Sequence, residues 1–302
     1  MTLASRCLGA AVGLVVDRVV GDPPDAFHPV AWFGTAMTKV EGSVWADRRL
    51  SGVAYAVAGA GLGAATGRLV RSTAITVAIA VAGRQLRSTA DSIAQATHAQ
   101  DLVQARSLLP SLVGRDPSQL DASGIAAAVI ESVAENSVDA MMAPVFWAVV
   151  AGAPGAAAYR AINTMDAMVG HRSTRYNNFG WAAARLDDAA NYLPARVFAV
   201  LVAAQSPSLA GRTLAVVRSD APAHPSPNAG VAETAMAAAL GCELGGPLRY
   251  GPDIELRPTL GSGPRPGPAD IADAIYIANR AELATLGALA IAWAIASLRR
   301  TL

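Results

Sequence analysis

The 302-residue sequence predicts an all-α, multi-pass integral membrane protein, and three observations carry that prediction. Charged residues make up only 16% of the chain, where roughly 25% is usual. Mean hydropathy is +0.34. Apolar runs close to bilayer length alternate with polar intervals, the pattern of spans joined by water-facing segments. These runs support about four or five spanning or re-entrant helices, drawn from residues 3–20, 50–67, 73–83, 140–159, 193–211 and 283–298.

The first run, MTLASRCLGAAVGLVVDRVVG, lacks a small-residue cleavage site and reads as a retained span. Leu50 to Gly67 is 18 residues without a charge. Within it Gly59, Gly63 and Gly67 recur every fourth position, which clears one helix face for close approach of another helix. Thr73 to Gly83 is short for a crossing and suits the return arm of a hairpin. Residues 84–136 are polar with apolar positions near helical spacing, and Asp121 stands as a cap before a helix from Ala122. Residues 140–159 are uncharged but interrupted by Pro144 and by the GAPG at Gly152 to Gly155, so a broken or re-entrant helix competes evenly with a clean crossing. Residues 206–268 are rich in Pro and Gly and read as loops with one short helix near Val231 to Leu240, and no segment shows a useful strand period. A final helix runs from about Ala269 to Leu298.

Composition also excludes several functions. With 24 Lys+Arg against 23 Asp+Glu the net charge is +1, which gives no bulk attraction for nucleic acid. Cys7 and Cys242 are the only cysteines and form no CxxC pair, so any metal would be held by oxygen. Lys39, the sole lysine, lies in TAMTKVEG, which lacks Walker A glycine spacing.

Chemistry gathers in four polar stretches. In ESVAENSVDA, Glu131, Glu135 and Asp139 sit at i, i+4 and i+8, so a helix would line three carboxylates on one face. Either that face is solvated, or a cation such as Mg²⁺ or arginines from another segment offsets the repulsion. In NTMDAMVGHRSTRYNNFG, Asn163 and Asp166 share a face before Gly170, and Arg172 and Arg175 follow as phosphate-holding forks or as a basic membrane-surface loop. ARLDDAANYLPAR places Asp187 and Asp188 one turn before Asn191, with Arg185 and Arg196 able to neutralise them. VVGDPPDAFHPVAWFG carries Asp22 and His28 in a proline-stiffened loop.

GDPPDAFHPVAWFG, VGRDPSQL, ESVAENSVDAMMAPVFW, GAPGAAAYRAINTMDAMVG, RYNNFGWAAARLDDAANYLPAR and HPSPNAGVAETAMAAALGCELGG follow one another in this order between about Val16 and Gly251. Together they resemble the adenosylcobinamide-phosphate synthase (CobD/CbiB) family. The sequence departs from that pattern at Ala140 for a usual glycine, Arg160 for a usual lysine, Ala167 for a usual serine and His171 for a usual tyrosine. Arg160 keeps the charge but cannot act as a proton-transferring amine.

The resemblance implies a single multi-pass domain in the cell membrane that joins adenosylcobyric acid to (R)-1-amino-2-propanol or its O-phosphate, using ATP and Mg²⁺. It implies catalytic roles for Glu131, Glu135, Asp166 and Asp187, with Glu131, Glu135, Asp187 and Asp188 as metal ligands. Expected substrate and phosphate contacts are Asp22, His28, Arg115, Asn136, Arg160, Asn163, Arg172, Arg175, Asn191, Arg196, Ser226, Asn228, Gly245 and Gly246. The partners are then a corrinoid, the amine and the lipid bilayer, without nucleic acid, and a homo-oligomer is compatible with this reading. The alternative is a non-enzymatic membrane sensor or a transporter on the same fold. A transporter would place its ionisable residues inside spans near the midplane, whereas here most lie between them.

Overall fold

The computed structural model describes residues 1–114, 116–171, 173–250 and 253–299. In chain order the helices are α1 (Leu3–Val20), α2 (Pro29–Val44), α3 (Arg49–Val70), α4 (Thr73–Ala80), α5 (Gly83–His98), α6 (Leu102–Leu108), α7 (Ala122–Ser137), α8 (Ala143–Met165), α9 (Trp181–Ala204), α10 (Ala210–Asp220) and α11 (Ala229–Leu240). Strands β1 (Glu243–Tyr250) and β2 (Asp253–Gly261) follow, then α12 (Pro268–Leu298). The chain forms two units. The first takes Met1–Arg84, Asp139–Asn191 and the end of α12 from Thr285, and the second takes Gln85–Val138 and Tyr192–Ala284.

Prolines shape the first unit. A helical proline cannot donate to the carbonyl four residues before it, and an apolar surrounding offers no water to replace the lost partner. Pro144 frees the Ala140 carbonyl, which accepts the Ala82 N–H at 2.9 Å. The break at Gly152, just before Pro154, leaves the Val150 carbonyl without a helical donor, and it accepts from Arg6 Nη1. Pro194 frees Ala190, whose carbonyl accepts from Trp147 Nε1 at 3.0 Å. Each interruption of a helical ladder thus becomes a tertiary bond.

The sharpest interruption is at Gly152, with φ 70° and ψ −153° inside α8. L-residues with side chains rarely adopt that backbone. The chain reverses there. Asn163 reaches the Asp139 carboxylate at 3.3 Å, although a straight helix would hold the two about 36 Å apart. Residues 143–151 and 153–165 are therefore two arms of a helical hairpin, which decides for the broken alternative over a clean crossing at 140–159.

The glycine stripe of α3 packs on the second arm. A Cβ at Gly59 would meet Met165 Sδ at 2.2 Å, at Gly63 the Ala157 carbonyl and Ala161 Cβ at 2.7 Å, and at Gly67 the Ala153 carbonyl at 2.4 Å. The other face of α3 exposes Leu50, Val57, Leu62 and Leu69. A helix with glycines inside and aliphatic side chains outside inverts the soluble pattern and suits lipid. Gly9 and Gly13 of α1 lie equally close to Thr73 and Val77 of α4. Beside them, Met37, Tyr55, Met165, Val169, Phe179 and Ala183 form a buried cluster.

Among the described residues, three helical runs are long and apolar enough to cross a membrane: Arg49–Val70, Ala122–Gly170 and Pro268–Leu298. The second doubles back at Gly152 and so comprises more than one straight helix. The expected span at 3–20 is a helix with matching bounds, but Arg6, Asp17 and Arg18 keep it outside that set. The expected span at 193–211 is corrected, because α9 ends at Ala204, Pro207 lies in the link, and α10 starts only at Ala210.

A second correction concerns the all-α expectation and the loop reading of 206–268. In the second unit β1 and β2 pair antiparallel, with buried Leu244 opposite buried Leu260 and an irregularity between Gly245 and Pro247. Prolines and glycines disguised the hairpin. In a two-stranded ribbon both strands are edges, where proline is tolerated, and Ile254, Leu256 and Leu260 do alternate with polar residues.

Replacing Gly63 by leucine would drive a side chain into the Ala157 backbone. We expect Gly63→Leu to cut the yield of folded protein in detergent severalfold, as read by size-exclusion chromatography. A wild-type yield would mean that α3 and the hairpin do not depend on this contact.

Candidate active site

The hairpin brings three separate polar stretches of the sequence together in the first unit. Asp139 stands in a π-helical turn, Val138–Met142, at the base of the first arm. Asn163 lies near the end of the second arm, just before another π-helical turn, Asp166–Gly170. Asp187 and Asn191 are one turn apart on α9. π-turns recur at functional sites because they reset the direction of side chains within a helix.

The hydrogen bonds form one network. Asn163 Nδ2 donates to Asp139 Oδ2 and to Asp187 Oδ1, both at 3.3 Å. Asn191 Nδ2 donates to Asp187 Oδ2 at 2.9 Å. Arg160 Nη1 donates to Asn163 Oδ1 at 3.2 Å and so fixes which way that amide faces. The Tyr159 hydroxyl lies 2.8 Å from Asn191 Oδ1 and 3.2 Å from the Asp139 carbonyl. Tyr159 is buried with Ala143 and Ala190. Partial burial pushes the Asp187 carboxyl up to about 6, against the opposing effect of the Asn163 and Asn191 donors, with Asp188 adding a further rise. Asp188 is also raised by burial, while Arg185, 3.1 Å away, lowers it.

The other expected residues fall elsewhere. Asp166 is half-buried over Gly170, where a Cβ would sit 1.8 Å from its Oδ1. His28 caps α2 by accepting the Val30 N–H at Nδ1 and lies 3.5 Å from Asp22. Arg175 donates to Glu41 at 2.9 Å and stacks on Trp45 with 4.6 Å to the ring centroid. Its guanidinium is thus already engaged, although the side chain remains 54% exposed. Arg115 and Arg172 lie outside the described residues.

In the second unit, the carboxylate stripe takes a different form from the one its spacing predicts. Glu131 is buried and accepts the Gly245 N–H at 2.8 Å, which anchors the β-hairpin to α7. Glu135 is exposed, and Asn136 bonds back to Ser132 on its own helix. The π-turn beginning at Val138 interrupts the i+4 spacing before Asp139. Arg265 holds the Gly245 carbonyl at 2.7 Å, beside Gly246. Arg196 donates to Asn228 at 3.0 Å and stacks on Tyr192, while Ser226 Oγ accepts the Asn228 and Ala229 N–H groups. These loops therefore use much of their own backbone donor capacity. Among the described residues, no group of three or more His, Cys, Asp or Glu side chains is placed to hold a metal ion.

Tyr159 was missed in the sequence because a tyrosine within an apolar run reads as core. Its signal was the polar triplet Tyr159, Arg160 and Asn163 at helical spacing. Asp139 carried the opposite error, being grouped with Glu131 and Glu135 by spacing alone.

Fold and network define a helical membrane-type protein with an acid and amide cluster at the base of a broken-helix hairpin. A family model described as CobD/Cbib protein matches residues 10–278, and the chain belongs to the CobD/CbiB family. It is 45% identical over 291 residues to the "Cobalamin biosynthesis protein CobD" of Mycobacterium tuberculosis (strain ATCC 25618 / H37Rv), across 92% of this chain and 93% of that protein. The identically named protein of Rhodobacter capsulatus is 40% identical over 318 residues, covering 94% and 97%. That of Chromobacterium violaceum is 39% identical over 288 residues, covering 89% and 91%. No solved structure matches the chain.

The Asp187 carboxyl carries a pH signature. An unfolded aspartate titrates near about 3.9, and the folded one near 6. Between those values the folded chain holds a proton that the unfolded chain has released. This group's contribution is therefore fully favourable below about pH 4 and is lost as pH rises through 6. In detergent with chelator, wild type should gain about 1 kcal/mol over Asp187→Asn between pH 7 and pH 5. Thermal midpoints that move in parallel for the two proteins would contradict this.

Proposed function

We propose that the chain catalyses ATP-dependent amide formation between a propionate of adenosylcobyric acid and (R)-1-amino-2-propanol or its O-phosphate, giving adenosylcobinamide or its phosphate. The observation that carries this reading is the convergence of Asp139, Asn163, Asp187 and Asn191 from three distant stretches onto one network. The names of its relatives, all cobalamin biosynthesis proteins, supply the pathway.

An amide cannot form directly from a carboxylate at neutral pH, since oxide or hydroxide would have to leave. In the proposed route a propionate oxygen attacks the γ-phosphorus of ATP, ADP leaves, and an acyl phosphate results. The amine nitrogen then attacks the acyl carbon and inorganic phosphate departs with the original carboxylate oxygen. The proton released by the ammonium passes to a carboxylate of the cluster. Before that, carboxylate and amide oxygens can accept from the ammonium and hold it in place.

The donor set suits magnesium, which commonly takes one or two carboxylates and completes its shell with water and substrate phosphates. Asp139 and Asp187 would hold it, being all-oxygen donors whose carboxylates share the single Asn163 amide. When bound, Mg²⁺ supplies neutralisation of phosphate charge.

Purified protein should release phosphate from ATP only when both corrinoid and amine are present. Asp139→Asn and Asp187→Asn should each lower kcat about 100-fold or more and raise the Mg²⁺ requirement, with the folded yield retained. If Glu135→Gln raises the requirement while Asp139→Asn does not, the cation belongs with Glu135 instead. ATP turnover without corrinoid would remove the synthase reading altogether.

A further inference from the structure

At the tip of the hairpin the first unit contains a cavity of about 720 Å³, lined by Arg6, Arg68, Leu69, Arg71, Gly152 and Pro154 among others, with no acidic residue in its wall. Among the described residues these three arginines have no acidic partner. Three uncompensated guanidiniums around one cavity set up a positive potential that an anion would relieve.

The arginines are positioned by separate elements. Arg6 of α1 gives Nη1 to the Val150 carbonyl left unpaired by the break at Gly152, which fixes its side chain beside Gly152. Its Nε is buried and has no hydrogen-bond partner. Arg68 closes the last turn of α3. Arg71 follows as the cap of that helix with φ 57°, a left-handed conformation in which glycine is favoured. A guanidinium at that position is held against the local backbone preference.

Place and surroundings narrow the anion to one class. The 22 residues of α3 span about 33 Å, enough to cross a hydrocarbon core of about 30 Å. Its last turn, with Arg68 and Arg71, therefore stands at headgroup level. Leu69, between them, lines the cavity and is 81% exposed, and Ile75 at the start of α4 is 56% exposed. Cationic side chains next to outward-facing aliphatic ones match an amphiphile rather than a free ion.

We propose that this cavity binds the phosphate of an anionic phospholipid headgroup, with Arg6, Arg68 and Arg71 on its oxygens and the acyl chains lying toward Leu69. The site is separate from the acid and amide cluster and does not depend on the proposed amide synthesis.

The test uses the full chain in neutral detergent, titrated with short-chain phosphatidylglycerol, short-chain phosphatidylcholine or inorganic phosphate. Binding is read by thermal shift and by lipid adducts in native mass spectrometry. Phosphatidylglycerol should raise the midpoint and leave an adduct, and phosphatidylcholine and phosphate should do neither. Arg71→Gly, which suits the left-handed backbone, and Arg68→Gln should each weaken phosphatidylglycerol binding about tenfold, as expected for a lost charge-assisted contact. The two variants avoid Arg6, which also holds the helix break. Phosphate acting as well as phosphatidylglycerol would overturn the lipid assignment in favour of a soluble phosphate. Unchanged phosphatidylglycerol binding in both variants, or none in wild type, would overturn the site. Phosphate release from ATP, measured on the same samples, reports separately on the amide-forming reaction.

Discussion

The first unit depends on what happens to carbonyls that prolines and the break at Gly152 leave unpaired. In an apolar surrounding an orphaned carbonyl costs roughly 1–3 kcal/mol, so each such carbonyl must be matched by a donor from elsewhere. The Ala82 amide, the Arg6 guanidinium and the Trp147 indole supply those donors. Each ties a helix break to a second element, which makes the breaks fixed features of the packing. The reversal at Gly152 then becomes part of the architecture, and Asp139 and Asn163 meet because of it.

Close helix contact holds the reversal in place. Lipid tails are as apolar as leucine, so helices in a bilayer gain little by burying aliphatic side chains against each other. Backbone contact through glycine supplies dispersion instead. α3 presents Gly59, Gly63 and Gly67 to the second arm, and the carbonyls of Ala153 and Ala157 come close enough that no side chain fits between them. The same helix turns its leucines outward. Packing and solvation thus place one sequence pattern on two faces.

Much of this was legible in the sequence. The α3 stripe, the Asp121 cap that accepts from Gly124, and the interruption near Gly152 all follow from local chemistry with period and position intact. What stayed hidden has a common cause, in that it depends on contacts far along the chain. The i, i+4, i+8 spacing of Glu131, Glu135 and Asp139 described a regular helix, but the π-turn at Val138 breaks the register. Glu131 found its partner at Gly245, 114 positions away. The β-hairpin was obscured by proline and glycine, whose turn propensity carries less weight in a ribbon made only of edges. Period alone therefore grouped carboxylates whose partners lie far along the chain.

Arg160 shows how the network constrains its own members. The resemblance to the family leads one to expect lysine here, and an arginine cannot exchange a proton in its place. Its observed bond runs to Asn163 Oδ1, which leaves Nδ2 facing both Asp139 and Asp187. If the amide turned over, its oxygen would face two carboxylate oxygens and repel both. A cation at residue 160 thereby fixes the only orientation in which two acidic side chains can share one donor. A lysine ammonium would meet the same requirement, since orientation needs a positive donor and no proton transfer. The replacement is then conservative for positioning and disqualifying for general-base chemistry at residue 160, and in the reaction proposed above that task falls to the carboxylates.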